Sequence, residues 1–244
     1  MSRRAVSGSI SACCSPLSVT VHAPYIANAP RRPAQHTPGG RGYDEFFGYF
    51  QHANNYWNKQ GHIEATGDVD LCLNRFVDLF QENATYRGGV LDERALDASC
   101  SDADDADPSC YEEHLFRVRA AAILDAHACA NAAAAAADAE AAAEAEAATT
   151  ATTTPTNVVS SEKPLFYVHA FHLAHSPLNV PISYVRAADA RLAASHEAYD
   201  DAGRRNYTSM VAYLDEVVGD IAAQLRSLDL WDDTLVAFLS DNGG

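Results

Sequence analysis

Asp241-Asn242-Gly243-Gly244 sets a carboxylate beside an amide carbonyl and follows both with glycine. Both oxygens are hard donors of the kind Ca²⁺ or Mg²⁺ takes, and glycine lets the backbone turn sharply and approach an anion. The same four residues also suit an ordinary turn. A second group is His169, His172 and His175. In an extended segment, alternation sends His169 and His172 to opposite faces, which argues against a three-histidine zinc site. His175 stands apart in Ala174-His175-Ser176-Pro177-Leu178. An imidazole held in such a proline-containing loop is able to donate to an anionic oxygen or act as a general acid. A purely structural histidine is the competing reading.

The elements around these residues predict how they are positioned. Leu165–Phe171 is an apolar run that reads as a buried strand leading to His175. Residues 204–228 carry Tyr207, Met210, Val211, Leu214, Val217, Ile221, Leu225 and Leu228 at spacings of three and four, which predicts a helix. Thr234–Leu239 reads as a second apolar strand, ending at Ser240-Asp241. Strand, helix, short turn and strand predict an α/β fold, a parallel sheet flanked by helices, with ligands at the carboxyl ends of the strands. His175 and the Asp241-Asn242 pair both follow such ends and are expected to face one cleft. Upstream, Ser109 and Glu112 have capping-box spacing before an apolar face of Leu115, Phe116, Ile123 and Leu124. Gly42–Phe50 reads as an aromatic-rich packed turn or short helix, and 71–80 as another apolar segment.

The formal net charge is −16, with 33 acids against 17 Lys and Arg, and Lys59 and Lys163 are the only lysines. Such a balance excludes the basic stripe of a nucleic-acid binder. No run approaches the ~18 uninterrupted apolar residues of a membrane span, so none is expected. The charge is unevenly placed. Residues 1–42 hold five arginines and no acid, whereas 92–148 hold 14 acids against three arginines. From Ala130 to Ala148, 14 of 19 residues are alanine. Residues 1–42 therefore read as a disordered or atypical N-terminus, and about 92–110 and 130–156 as acidic and Ala-rich insertions. None of the six cysteines makes a C-x-x-C pair, so a zinc ribbon is not expected. Cys100 and Cys110 suit a short disulfide in an oxidising compartment, or two thiols. Asn83-Ala84-Thr85 and Asn206-Tyr207-Thr208 are glycosylation sequons. These point to the secretory pathway, lysosomal or extracellular, whereas the Arg- and Ser-rich start resembles an organelle-targeting segment.

Four segments in order resemble the sulfatase family, especially members similar to arylsulfatase B (N-acetylgalactosamine 4-sulfatase). Arg41-Gly42-Tyr43-Asp44-Glu45-Phe46-Phe47-Gly48-Tyr49 resembles the R-G-F-D-x-F-x-G element. Ala174-His175-Ser176-Pro177-Leu178-Asn179-Val180-Pro181 resembles the H-x-P-L-x-V-P loop. Tyr207 to Asp215 resembles the Y-x-x-M-V-x-x-L-D helix, and Asp232 to Gly244 resembles the strand that ends in S-D-N-G-G. The resemblance covers about 43–91 and 111–244.

What it implies is a sulfuric ester hydrolase with an alkaline-phosphatase-like sheet, acting on a sulfated carbohydrate or an aryl sulfate ester. Asp241 and Asn242 would be two ligands of a Ca²⁺ ion, and His175 would contact the sulfate or the leaving group. The family's nucleophile is a formylglycine made from the cysteine of C-x-P-S-R. Cys14-Ser15-Pro16-Leu17-Ser18 keeps only C-x-P and lies only 41 − 14 = 27 positions before Arg41, where the family has a much longer stretch, so the nucleophile stays unassigned. The G-K-W-H-L-G element and the paired N-terminal aspartates have no counterpart. Residues 43–244 are therefore expected to be a partial catalytic domain, inactive alone. The alternatives are a phosphoesterase or phosphotransferase of the same superfamily, or a sulfatase-derived binding remnant.

Overall fold

The computed structural model describes residues 38, 41–49, 55–57, 79–82, 87–90, 108–148, 162–195 and 201–241. The described part is mostly helical. Three short strands, β1 (Phe46–Tyr49), β2 (Leu79–Glu82) and β3 (Arg87–Val90), precede three helices, α1 (Glu112–Ala148), α2 (Ile182–Ser195) and α3 (Ala202–Ser227). The chain divides into two compact units: Ser18–Ala121 with Phe166–Asp220, and Met1–Leu17 with Ala122–Leu165 and Ile221–Gly244.

The strands form an antiparallel sheet in the order β1-β2-β3, with Phe46 opposite Glu82 and Tyr49 opposite Leu79. A register irregularity lies between Phe80 and Glu82. Of the segment expected as a packed turn or short helix at Gly42–Phe50, Gly42 lies in a turn and Phe46–Tyr49 form a strand, while Phe50 lies outside the described residues. Phe46 and Phe47 are both buried, one on each face, so two consecutive aromatics suit an extended segment covered on both sides. Gly42, at φ 97, makes the tight turn into β1 that a side chain would strain. Residues 71–78 lie outside the described residues.

The first unit is built on aromatic rings. Tyr111 stacks on Tyr56 at 5.6 Å and meets Trp57 at 5.1 Å and Tyr213 edge-on at 5.1 Å. Phe116 meets Phe47 edge-on at 5.5 Å. Tyr56, Trp57 and Tyr111 are each fully buried. Arg117 of α1 bridges to Glu216 at 2.8 Å and to Asp220, both on α3, and the Tyr184 hydroxyl of α2 donates to Glu216 at 2.7 Å. These exposed ionic contacts each contribute about 0–1 kcal/mol, so the ring cluster dominates the packing.

α3 confirms the periodicity of 204–228. Met210, Tyr213, Val217 and Leu225 point inward, while Tyr207 and Val211 are exposed. Asp201 caps its start by accepting the Arg204 amide at 2.7 Å. At its end the Leu230 amide donates to the Leu225 carbonyl at 2.9 Å, and Asp229 takes φ 57. This is a Schellman-type ending with aspartate where glycine is usual. Asp229→Gly is expected to raise stability by about 0.5–1 kcal/mol, read as a higher Tm. An unchanged or lower Tm would contradict it. α2, which no sequence pattern had announced, buries Val185 and Ala188 three residues apart.

α1 starts differently from the expected capping box. Its first amide, that of Glu112, donates to the Tyr56 carbonyl at 2.8 Å, and the Glu112 carboxylate turns to His172. Phe116, Ala120, Ile123 and Leu124 form its buried face. Beyond Ala130 the helix is largely exposed, as a row of alanines with no large side chain to bury requires. Asn131 ties it to the chain at Lys163, exchanging two hydrogen bonds with its backbone at 3.0 and 3.1 Å. Contrary to the expectation of no spanning segment, Glu112–Glu146 is long and apolar enough to cross a membrane, by length and composition only. That apolarity is mostly alanine, and the first turn buries two carboxylates in the ring cluster.

The two apolar segments expected as parallel strands carry no ladder among the described residues. At Thr234–Leu239 the side chains of Leu235 and Leu239 are 95% and 84% exposed. An inner strand is stable only when neighbours satisfy both of its edges and cover both of its faces. Among the described residues neither segment meets that condition. Cys110 is disulfide-bonded, while its expected partner Cys100 lies outside the described residues, and Cys129 is a thiol.

Candidate functional site

His175 lies exposed in the loop that joins 165–171 to α2. Its Nδ1 is 2.8 Å from the Ser176 carbonyl oxygen. A carbonyl only accepts, so Nδ1 carries a proton and Nε2 holds the lone pair when the ring is neutral. The loop is pinned on its far side. The Tyr111 hydroxyl donates to the Asn179 carbonyl at 2.9 Å, Asn206 Nδ2 donates to the Leu178 carbonyl at 3.1 Å, and Val180 is buried. The Asn206 bond also engages the nitrogen that the sequon would offer to a sugar. The Asn83 sequon lies outside the described residues.

Beneath His175 lies a buried acid–imidazole cluster. His172 Nδ1 is 2.5 Å from Glu112 Oε1. Glu113 Oε1 accepts two backbone amides, from His172 at 2.8 Å and Leu173 at 3.2 Å. The Tyr56 hydroxyl lies 2.9 Å from the His172 carbonyl and 3.1 Å from that of His175, and its ring stacks on His172 at 4.5 Å. Both glutamates are fully buried, and the second oxygen of each has no partner.

Burial, and then the neighbouring Glu112 charge, push the Glu113 carboxyl up to about 8. Burial alone would lower the His172 imidazole, but the charge and hydrogen bond of Glu112, with Glu113, raise it above its ordinary value. His169 is different. Its Nδ1 is 2.6 Å from the Tyr167 hydroxyl, and burial pushes it down to about 4, so it stays neutral. The three histidines thus sit in three different surroundings, His169 against Tyr167, His172 against Glu112 and His175 against the Ser176 carbonyl.

Sequence reasoning missed Glu112, Glu113, Tyr56 and Tyr111. Two acids in the first turn of a helix are fully accounted for by the helix dipole, so their types gave no signal of burial. The Asn-Tyr-Trp run at 55–57 carries no spacing pattern.

Asp241 is exposed, and Asn242 lies outside the described residues. Among the described residues no group of three or more His, Cys, Asp or Glu could hold a metal ion. Ca²⁺ takes six to eight oxygens, so the carboxylate of Asp241 does not by itself fit the ion. Cys14 also lies outside the described residues.

The sulfatase family's sequence profile matches residues 22–244. Arylsulfatase J of Mus musculus is 30% identical over 82 residues, 34% of this chain and 12% of that relative. The matched stretch is thus a small part of the relative's length. The profile match covers most of the chain, and the chain belongs to the sulfatase family.

Proposed function

We propose that this chain carries part of a sulfuric ester hydrolase site, with His175 as the group that meets the sulfate or the leaving oxygen. The supporting observation is an exposed imidazole on a loop pinned from below, in a chain that belongs to the sulfatase family. With Nδ1 held by the Ser176 carbonyl, the protonated ring presents Nε2–H to an anionic oxygen, and the neutral ring presents a lone pair. Asp241 and Asn242 are proposed as two of the Ca²⁺ ligands, the family being generally metal-dependent. The α/β alkaline-phosphatase-like sheet, with Leu165–Phe171 and Thr234–Leu239 as strands, is part of the same proposal. The substrate class is a sulfated carbohydrate or an aryl sulfate. The disulfide at Cys110 supports a secretory, lysosomal or extracellular location.

The test is titration of the chain with an aryl sulfate, with and without Ca²⁺, alongside an assay for the released phenol. Binding is expected to weaken about tenfold in His175→Ala, the scale of one charge-assisted hydrogen bond. No turnover is expected from this chain alone. Binding that His175→Ala leaves unchanged would remove His175 from the site, and clear turnover would overturn the reading of an incomplete site.

A further inference from the structure

The loop that carries His175 is tied to side chains that the sulfate reading does not use. Glu113 Oε1 accepts the amides of His172 and Leu173, Glu112 Oε1 meets the His172 ring, and the Tyr56 hydroxyl lies within hydrogen-bond distance of the carbonyls of His172 and His175. Three side chains thus hold one turn at its amide, ring and carbonyl groups. The tie is also rigid at its root. Glu112 and Glu113 open α1, and the Glu112 amide donates to the Tyr56 carbonyl, so the three anchors are bonded to one another. Tyr56 is stacked between Tyr111 and His172. Such a cluster is a poor way to gain stability, because buried carboxyls with an oxygen left unpartnered are unfavourable. Its geometry has another use, which is to fix the backbone from which His175 projects.

We propose that Glu113 is a positioning residue for His175, acting with Glu112 and Tyr56 through the 172–175 turn. The proposal rests on the reading of His175 as the sulfate-facing group. It assigns Glu113 no contact with substrate. Its oxygen replaces the hydrogen bonds that two turn amides would otherwise seek from water, and the turn keeps one conformation.

The test is made on the full 244-residue chain. Hydrogen exchange is read at the amides of His172 and Leu173, and the nitrogen NMR shifts are read at the His175 ring, in Glu113→Ala and Glu113→Gln. The glutamine oxygen is able to accept the same two amides, so it is the rescuing variant. Glu113→Ala is expected to speed exchange at both amides about tenfold or more, and to move the His175 ring signals toward those of a free histidine. Glu113→Gln is expected to keep both readings close to those of the unmutated chain. Unchanged exchange and unchanged ring signals in Glu113→Ala would overturn the proposal, as would equal loss in both variants.

Should Glu113→Ala fail to fold, Glu113→Gln and Tyr56→Phe carry the test. The first must leave the His175 ring signals in place and the second must shift them. A silent Tyr56→Phe then overturns the proposal. Inorganic sulfate added to the unmutated chain tests the underlying reading separately. A His175 ring that ignores sulfate, with the mutational pattern intact, counts against the sulfate reading and leaves the tether standing.

Discussion

Tyr111→Ala is expected to destabilise the chain by about 3–5 kcal/mol, the range for truncating a fully buried aromatic. The reason is its position at the meeting point of four packed groups. The ring contacts Tyr56, Trp57 and Tyr213, and the hydroxyl donates to the Asn179 carbonyl in the His175 loop. Removing the ring leaves a cavity that rigid aromatic neighbours fill poorly. It also leaves a loop carbonyl without its donor, at a further cost of about 1 kcal/mol. Thermal unfolding would show a Tm lower by on the order of 10 °C. Tyr111→Phe separates the two parts. It keeps the ring and loses only the hydroxyl, so a fall of about 1 kcal/mol is expected. A Tyr111→Ala chain that melts within a degree or two of the unmutated one would show that the ring cluster is not the packing centre. A Tyr111→Phe chain as weak as Tyr111→Ala would place most of the energy in the hydrogen bond.

The ring cluster and the acid–imidazole cluster were the least legible parts of the sequence, while α3 was the most. α3 announces itself because Met210, Tyr213, Val217 and Leu225 recur on one face, and burial of a helix face leaves a period in the residue types. The loop that carries His175 was legible for another reason, since Ser176-Pro177 marks a break in regular structure. Thr234–Leu239 shows where such reasoning stops. Its apolar run records a need for neighbours on both faces, but nothing in it says which strands supply them. Among the described residues it is exposed and without a ladder. Glu112 and Glu113 illustrate the opposite failure. Acidic residues at a helix start are satisfied by the dipole and by water, so sequence alone gives no reason to bury them. Only the return of the chain at His172, sixty residues later, supplies the partners that make burial possible. Long-range pairing of this kind leaves no periodic trace.

Those buried groups also fix how stability responds to pH. Glu113, pushed up to about 8 from an ordinary 4.5, keeps its proton in the folded chain over a range where the unfolded chain has released it. Its contribution to stability is fully present below 4.5 and is lost as pH rises to about 8. His172 acts in the same direction, because its raised value favours the folded chain below 6.5 and that advantage fades as pH climbs through the folded value. His169 acts oppositely. Lowered to about 4, it contributes fully above 6.5, and the contribution is lost as pH falls toward 4. Each titrating proton gives a slope of about 1.4 kcal/mol per pH unit, so Glu113 and His169 nearly cancel between about 4.5 and 6.5. Above 6.5 both states of His169 are neutral, and Glu113 and His172 act alone. The other groups facing the cluster are Glu112, Tyr56 and Tyr111, and burial raises both hydroxyls far above this window. The expected result is a Tm that is nearly flat from pH 5 to 6.5 and then falls by on the order of 10 °C by pH 8. Glu113→Gln, which has no proton to lose, should make the alkaline fall shallower and leave only the His172 part. A Tm that rises from pH 6.5 to 8, or a Glu113→Gln profile identical to that of the unmutated chain, would show that Glu113 does not enter the native state protonated. A chain held together in this way is most stable in a mildly acidic setting.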